Sequence, residues 1–174
     1  MILSMIKIFL SLGSNIAASS NLQAAVTMLA TRGNLIGVSS VWQSPAIGFV
    51  QQDDFLNAAV MMESDISASG VYCEWIAHVE RALKRDRDPL NKSAPRTIDV
   101  DLSLYGDRVI SVLGRQIPDP DILTRPFVAI PLAELDAQFV HPTRQLSLAD
   151  IAASFENNGG ALVRRDDLDL RLCG

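Results

Sequence analysis

Apolar positions along the chain alternate between two periods, and the switches divide it into elements. The opening run MILSMIKIFLSLG reads as a first strand with a few loose residues ahead of it, and GSN at 13–15 then supplies a turn signal. Leu22, Ala25, Val26 and Leu29 follow helical spacing. Ser20 and Gln23 form a capping-box pair at the front of that helix, and Gly33 stands where a glycine ends one. Leu35 to Val41 reads as a second strand, a loop with Pro45, Gly48 and Asp53 follows, and Phe55 to Met62 reads as a third. Ser67 or Ser69 opens a second helix, whose stripe is Val71, Trp75, Val79, Ala82 and Leu83. Lys84 to Arg96 is polar, carries Pro89 and Pro95, and reads as a loop. Ile98, Val100 and Leu102 then alternate at period two, marking a fourth strand.

The order strand, helix, strand, strand, helix, strand is the split βαβ arrangement. It predicts an α+β, ferredoxin-like sandwich: a mostly antiparallel sheet with both helices on one face and the other face open. Further on come a short segment at Arg108–Val112, a proline-rich stretch at 117–126, a helix from Phe127 and another within Leu146–Phe155. The expected domain spans 1–156, and the charged tail at 157–174 is expected to be flexible.

Composition narrows the class. In 174 residues, 48% are hydrophobic and the net charge is -5, which suits one soluble domain without a general nucleic-acid or anionic-membrane surface. The apolar start has no basic leader, is interrupted by Lys7, and is far shorter than a membrane span. Cys73 and Cys173 form neither metal spacing nor a disulfide framework, which favours a reducing cytoplasm.

The fourth strand carries the chemistry. Asp99 and Asp101 share the face opposite Ile98, Val100 and Leu102, although aspartate is disfavoured in strands. Residues two apart on a strand lie about 6.6 Å apart. Carboxylates so placed can converge on one Mg²⁺ or bridge two, with phosphates completing the shell; an exposed edge whose acids pair with lysines has the same pattern. The preceding loop holds Lys84, Arg85, Arg87, Lys92 and Arg96 against Asp86 and Asp88. In an acidic protein, such a basic loop hinged by prolines suits nucleotide phosphates and a mobile cover. A P-loop sequence is absent, and His78 with Glu80 lacks zinc-ligand spacing.

APRTIDVDLSLYG at 94–106 resembles the signature of the 6-hydroxymethyl-7,8-dihydropterin pyrophosphokinases. LGSN at 12–15, QSPAIG at 43–48, DFLNAAV at 54–60, ERALKR at 80–85 and PDPDILTRPF at 118–127 match family segments in order. The resemblance implies transfer of pyrophosphate from ATP to the pterin hydroxymethyl group, with release of AMP, in folate biosynthesis. It implies that Asp99 and Asp101 hold two Mg²⁺ ions and that Arg85 and Arg96 grip phosphates, these four forming the catalytic set. Glu80, Leu102, Arg115 and Arg125 would complete the ATP contacts. Phe55 and Phe127 would stack the pterin, Asn57 would read its edge, and Ser44, Pro45 and Ile47 would line its loop. The implied partners are ATP and a pterin, with no nucleic acid or membrane, in a cytoplasmic monomer or weak homo-oligomer.

The chain departs from the family at Asp119, where a phosphate-contacting histidine is usual, and at Ser93 and Ala94, where Trp-Gly is common. A carboxylate there repels a polyanion unless a cation or an arginine meets it. Two other readings remain: a relative acting on a modified pterin, and a non-catalytic pterin- or nucleotide-binding relative.

Overall fold

The structure, a computed structural model, describes residues 5–46, 52–86, 94–155 and 162–172. The central strand β1 (Ile6–Ser14) runs antiparallel to both β4 (Phe55–Ser64) and β5 (Asp99–Tyr105). Outside β4 lie β2 (Asn34–Val38) and β3 (Trp42–Ser44), and β8 (Val163–Arg164) pairs with β3. The strand order is that of a ferredoxin-like α+β sandwich, as the element order predicts.

One sheet face follows from Ile8, Leu10 and Leu12 of β1, Ala58, Val60 and Met62 of β4, and Val100 and Leu102 of β5, all buried. It packs against α1 (Ala18–Ala30) and a second helical run. That run passes from α2 (Ala68–Gly70) through a π-helical stretch (Val71–Ile76) into α3 (Ala77–Ala82), and Ser67 caps its start by accepting from Gly70 N. Both helices therefore lie where the pattern placed them.

The other face is not wholly open. Phe9, Ala59, Met61 and Leu104 bury against α4 (Pro126–Leu135) and α5 (Leu148–Ala153), with Ile122, Val128, Leu132 and Ile151 completing this second core. A bulge puts Ser103 and Leu104 both on this side: Leu10 pairs with Leu102, but Phe9 pairs with Leu104. The covered half ends at Ser11, whose hydroxyl bonds that of Ser103, and beyond it the face opens. Between β5 and α4, β6 (Ile110–Val112) and β7 (Arg115–Ile117) form a hairpin, and a short 3₁₀ turn spans Pro120–Leu123.

Four expectations need correction. Helix α1 begins before Ser20: its N-cap is Ala17, in the left-handed region with φ 45°, so no Ser20 capping box forms. Gly33 ends no helix in a left-handed turn. A Cβ there would stand 2.8 Å from the Trp75 ring, so the glycine makes room for that packing. The second strand is broken at Ser39, whose Oγ accepts from Ala59 N at 2.8 Å and stands in for a ladder partner. The tail is anchored over 162–172, because β8 joins the sheet and Leu170 is 3% exposed in the helix-side core. Gly48, Arg87, Pro89, Lys92, Ser93 and Cys173 lie outside the described residues, and with them most of the expected cover loop.

Phe9 is fully buried and meets Phe139 edge-on at 5.1 Å, tying the sheet to the chain beyond α4. Phe9→Ala is expected to cost about 3–5 kcal/mol of unfolding free energy. Ile16→Ala, at an exposed position, is expected to stay within about 0.5 kcal/mol. Urea denaturation of both variants checks the contrast.

Candidate active site

The open half of the second face is a cavity of about 450 Å³. Strand alternation builds its floor: Ser11 and Gly13 of β1, Asn57 of β4, and Asp99 and Asp101 of β5 all point the same way, because Gly13 pairs with Asn57 on one side and Asp99 on the other. Ser44, Pro45, Phe55, Asp119, Asp121, Arg125 and Phe127 form the walls.

At one end sit the acids. Arg96 forms an ion pair with Asp99, and Arg85 Nη2 lies 3.5 Å from the other Asp99 oxygen. Arg115 Nη1 donates to Asp101 Oδ1 at 2.9 Å. Burial is the main cause that pushes the Asp101 carboxyl from 3.8 to about 7, and repulsion from Asp99 and Asp119 adds to it while Arg115 opposes. Burial also raises Asp119, whose side chain caps Asp121 N. A site that holds carboxylates against their own repulsion favours a cation.

The donors are carboxylate oxygens, which suit a hard ion such as Mg²⁺. Among the described residues no group of three or more His, Cys, Asp or Glu could hold a metal. Two carboxylates fit an ion whose remaining ligands are water and phosphate oxygens.

Phe55 and Phe127 line the same cavity, and the Arg96 guanidinium that pairs with Asp99 lies 5.6 Å over the Phe55 ring. Asn57 is 5% exposed, and its Nδ2 donates to Trp42 O at 3.1 Å and to Ser44 Oγ at 2.9 Å. Its Oδ1 is turned toward Gly13, 3.6 Å from where a Cβ there would stand. Gly13 thus keeps a side chain out of the cavity.

The remaining expected residues are dispersed. Arg125, the N-cap of α4, lines the wall with Nε 3.8 Å from Asp121. Glu80 is buried under β5, where Val100 N approaches its Oε1 at 3.5 Å. Leu102 belongs to the helix-side core, so its side chain faces away from the cavity, as strand alternation requires. Ile47 lies outside the described residues.

Sequence reasoning read LGSN only as a turn and a matched segment. Asn15 Oδ1 accepts from Arg96 N at 2.8 Å, and Arg96 O accepts from the backbone N–H groups of Asn15 and Ile16. Ser14 Oγ donates to Thr97 O at 2.6 Å. These bonds fix the chain that delivers Arg96 and Asp99. Two consecutive polar residues closing an apolar strand are the mark in the sequence, and the structure leaves both 5% exposed or less. Tyr72 was also missed: its ring lies 5.4 Å beneath the Arg115 guanidinium, and burial pushes its phenol up to about 12.

The folded protein holds the Asp101 proton to about pH 7, whereas an unfolded chain releases it near 3.8. Its contribution to stability therefore falls as pH rises through that window. Without nucleotide, Asp101→Asn is expected to melt above the wild type at pH 8, with the gap closing as pH falls from about 7 to about 4. Thermal melts across pH check this, and a lower melting point at pH 8 would contradict it.

Comparison with known proteins agrees with the geometry. The family described as 7,8-dihydro-6-hydroxymethylpterin-pyrophosphokinase (HPPK) matches residues 9–137. A Haemophilus influenzae protein named 2-amino-4-hydroxy-6-hydroxymethyldihydropteridine pyrophosphokinase is 32% identical over 145 residues, 82% of this chain and 89% of that protein. A Synechocystis protein of the same name is 37% identical over 134 residues, 75% of this chain and 67% of that protein. Among solved structures, the wild-type HPPK-DHPS of Plasmodium falciparum superposes with a TM-score of 0.67 at 9% identity, covering 89% of this chain. The chain spans 45% of that longer protein, and at such identity the likeness bears on the fold alone. On the match over residues 9–137 and these relatives, the chain belongs to the 7,8-dihydro-6-hydroxymethylpterin-pyrophosphokinase family.

Proposed function

We propose that the chain transfers the pyrophosphoryl group of ATP to the hydroxymethyl oxygen of 6-hydroxymethyl-7,8-dihydropterin in folate biosynthesis. One observation carries the reading: a stacking and amide end and a carboxylate and arginine end share one cavity on one sheet face. The pterin lies between Phe55 and Phe127, where offset stacking on flat rings is favourable. Asn57 Oδ1 accepts from its edge, and Ser44, Pro45 and Ile47 border it. Arg85, Arg96, Arg115 and Arg125 take the triphosphate. Glu80 and Leu102 support β5 from the core side.

In the reaction the hydroxymethyl oxygen forms a bond to the β-phosphorus and gives up its proton to solvent, the bond from that phosphorus to the α–β bridging oxygen breaks, and AMP departs. Asp99 and Asp101 would hold two Mg²⁺ ions, which supply charge neutralisation at the phosphates. The protein's own contribution is placement, since such transfers need little covalent help. Arg96 and Arg115, paired with the carboxylates here, are within reach to turn to phosphate oxygens once a cation takes the acids. The domain read over 1–156, extended by the segment at 162–172, would act as a cytoplasmic monomer or weak homo-oligomer. Among the described residues no helix is long and apolar enough to cross a membrane.

AMP formation from Mg-ATP with and without the pterin tests the reading. Pterin-dependent AMP is expected, and folded protein that binds both substrates without releasing AMP would overturn it. Asp99→Ala is expected to lower kcat about 10²–10³-fold, the scale of losing one preorganised electrostatic contact. Asp119→Asn keeps the cap on Asp121 N but removes a like charge facing the phosphates. Its KM for ATP is expected to fall about threefold to tenfold, the scale of one partly screened charge pair; an unchanged KM would show that Arg115 already neutralises Asp119.

A further inference from the structure

The family match ends at residue 137, yet the chain returns to the sheet more than 20 residues later. There β8 adds to β3 with Trp42 opposite Arg164 and Gln43 opposite Val163, and Arg165 N donates to Val41 O at 2.9 Å. The side chain of Arg165 then reaches back across the strand. Its Nη1 donates to Gln43 Oε1 at 2.8 Å, while Nε and Nη2 grip both carboxylate oxygens of Asp167. Gln43 passes the connection on, with Nε2 donating to Asp54 Oδ2 at 2.8 Å, one residue before Phe55. Leu170, 3% exposed, pins the segment to the helix-side core.

What β8 holds is a strand of three residues that would otherwise have a single neighbour. So short an edge strand is marginal alone and opens readily. Yet both hydrogens of the Asn57 carboxamide are placed by β3, through Trp42 O and Ser44 Oγ. If β3 shifts or frays, the amide is free to turn, and Oδ1 no longer faces the cavity.

We infer that the segment at 163–170 is a positioning element for pterin recognition. By pairing β3 on its outer side and bridging Gln43 through Arg165, it fixes the amide of Asn57 as an acceptor toward the pterin edge. This rests on the proposed reading of the cavity. The segment touches no reacting atom and lies away from the carboxylates, so its effect falls on one substrate.

Steady-state kinetics of Arg165→Ala, Gln43→Ala and the double variant test it, with each substrate varied in turn. Each single variant is expected to raise KM for the pterin about fivefold to tenfold, the factor carried by one net hydrogen bond. Values of kcat and of KM for ATP are expected to stay within about twofold. The double variant is expected to be no worse than the weaker single, since both remove the same link. Arg165→Lys, which can reach Gln43 but cannot also grip Asp167 as a fork, is expected to recover part of the loss. Pterin KM values within twofold of wild type in both folded single variants would overturn the inference, as would an equal rise in KM for ATP. Should Arg165→Ala fail to fold, Gln43→Ala decides alone. A wild type without pterin-dependent AMP would sink the functional reading instead, so the two failures are distinguishable.

Discussion

Asp99 and Asp101 stand on one face of β5 one pleat apart, and their mutual repulsion is the constraint around which the site is arranged. Each is met by a cation: Asp99 by Arg96 and Arg85, and Asp101 by Arg115. Compensation is incomplete at Asp101, whose carboxyl stays well above its ordinary range because burial withholds water from its charged form. The strand tolerates this because its other face, Val100 and Leu102, is fully committed to the core. The result is a carboxylate pair hemmed by arginines, which under the proposed function is where a triphosphate and a divalent cation would meet.

The rest of the architecture delivers parts to that face. The central position of β1 lets one glycine, Gly13, separate the amide of Asn57 from the carboxylate of Asp99 without filling the space between them. The end of β1 then steers the incoming chain, since Ser14 and Asn15 bind Thr97 and Arg96. Helix α4 covers half the face and supplies Arg125 and Phe127 from its first turn. At its far end Glu134 accepts from Trp42 Nε1 and Ser40 N, so the same helix also grips the strand that orients Asn57.

Much of this was legible in the sequence, and where it was not the reasons are physical. Alternation in Ile98, Val100 and Leu102 announced β5 and its acidic face, because period-two burial leaves a local mark. Ser67 announced its helix for the same reason, since an N-cap bonds a backbone group three residues away. Ser20 and Gln23 carried an equally good local pattern, but the ties from Asn15 and Ile16 to Arg96 set the entry of α1 earlier. Gly33 answers to Trp75, and the break at Ser39 answers to Ala59, both distant in sequence. The anchoring of the tail was hidden by its charge: Arg164, Arg165 and Arg171 satisfy their neighbours Asp166, Asp167 and Asp169, leaving Leu170 free to bury. The two carboxylates were visible as a pair, whereas the cations that meet them come from three separate segments: Arg85 after α3, Arg96 before β5 and Arg115 on β7.

The most direct test of this account is a structure of the protein with Mg²⁺, a non-hydrolysable ATP analogue and the pterin. The account predicts a cation about 2.0–2.1 Å from oxygens of Asp99 and Asp101, Arg96 and Arg115 turned to phosphate oxygens, and the pterin between Phe55 and Phe127. A cation bound elsewhere, with both carboxylates still paired to their arginines, would contradict it.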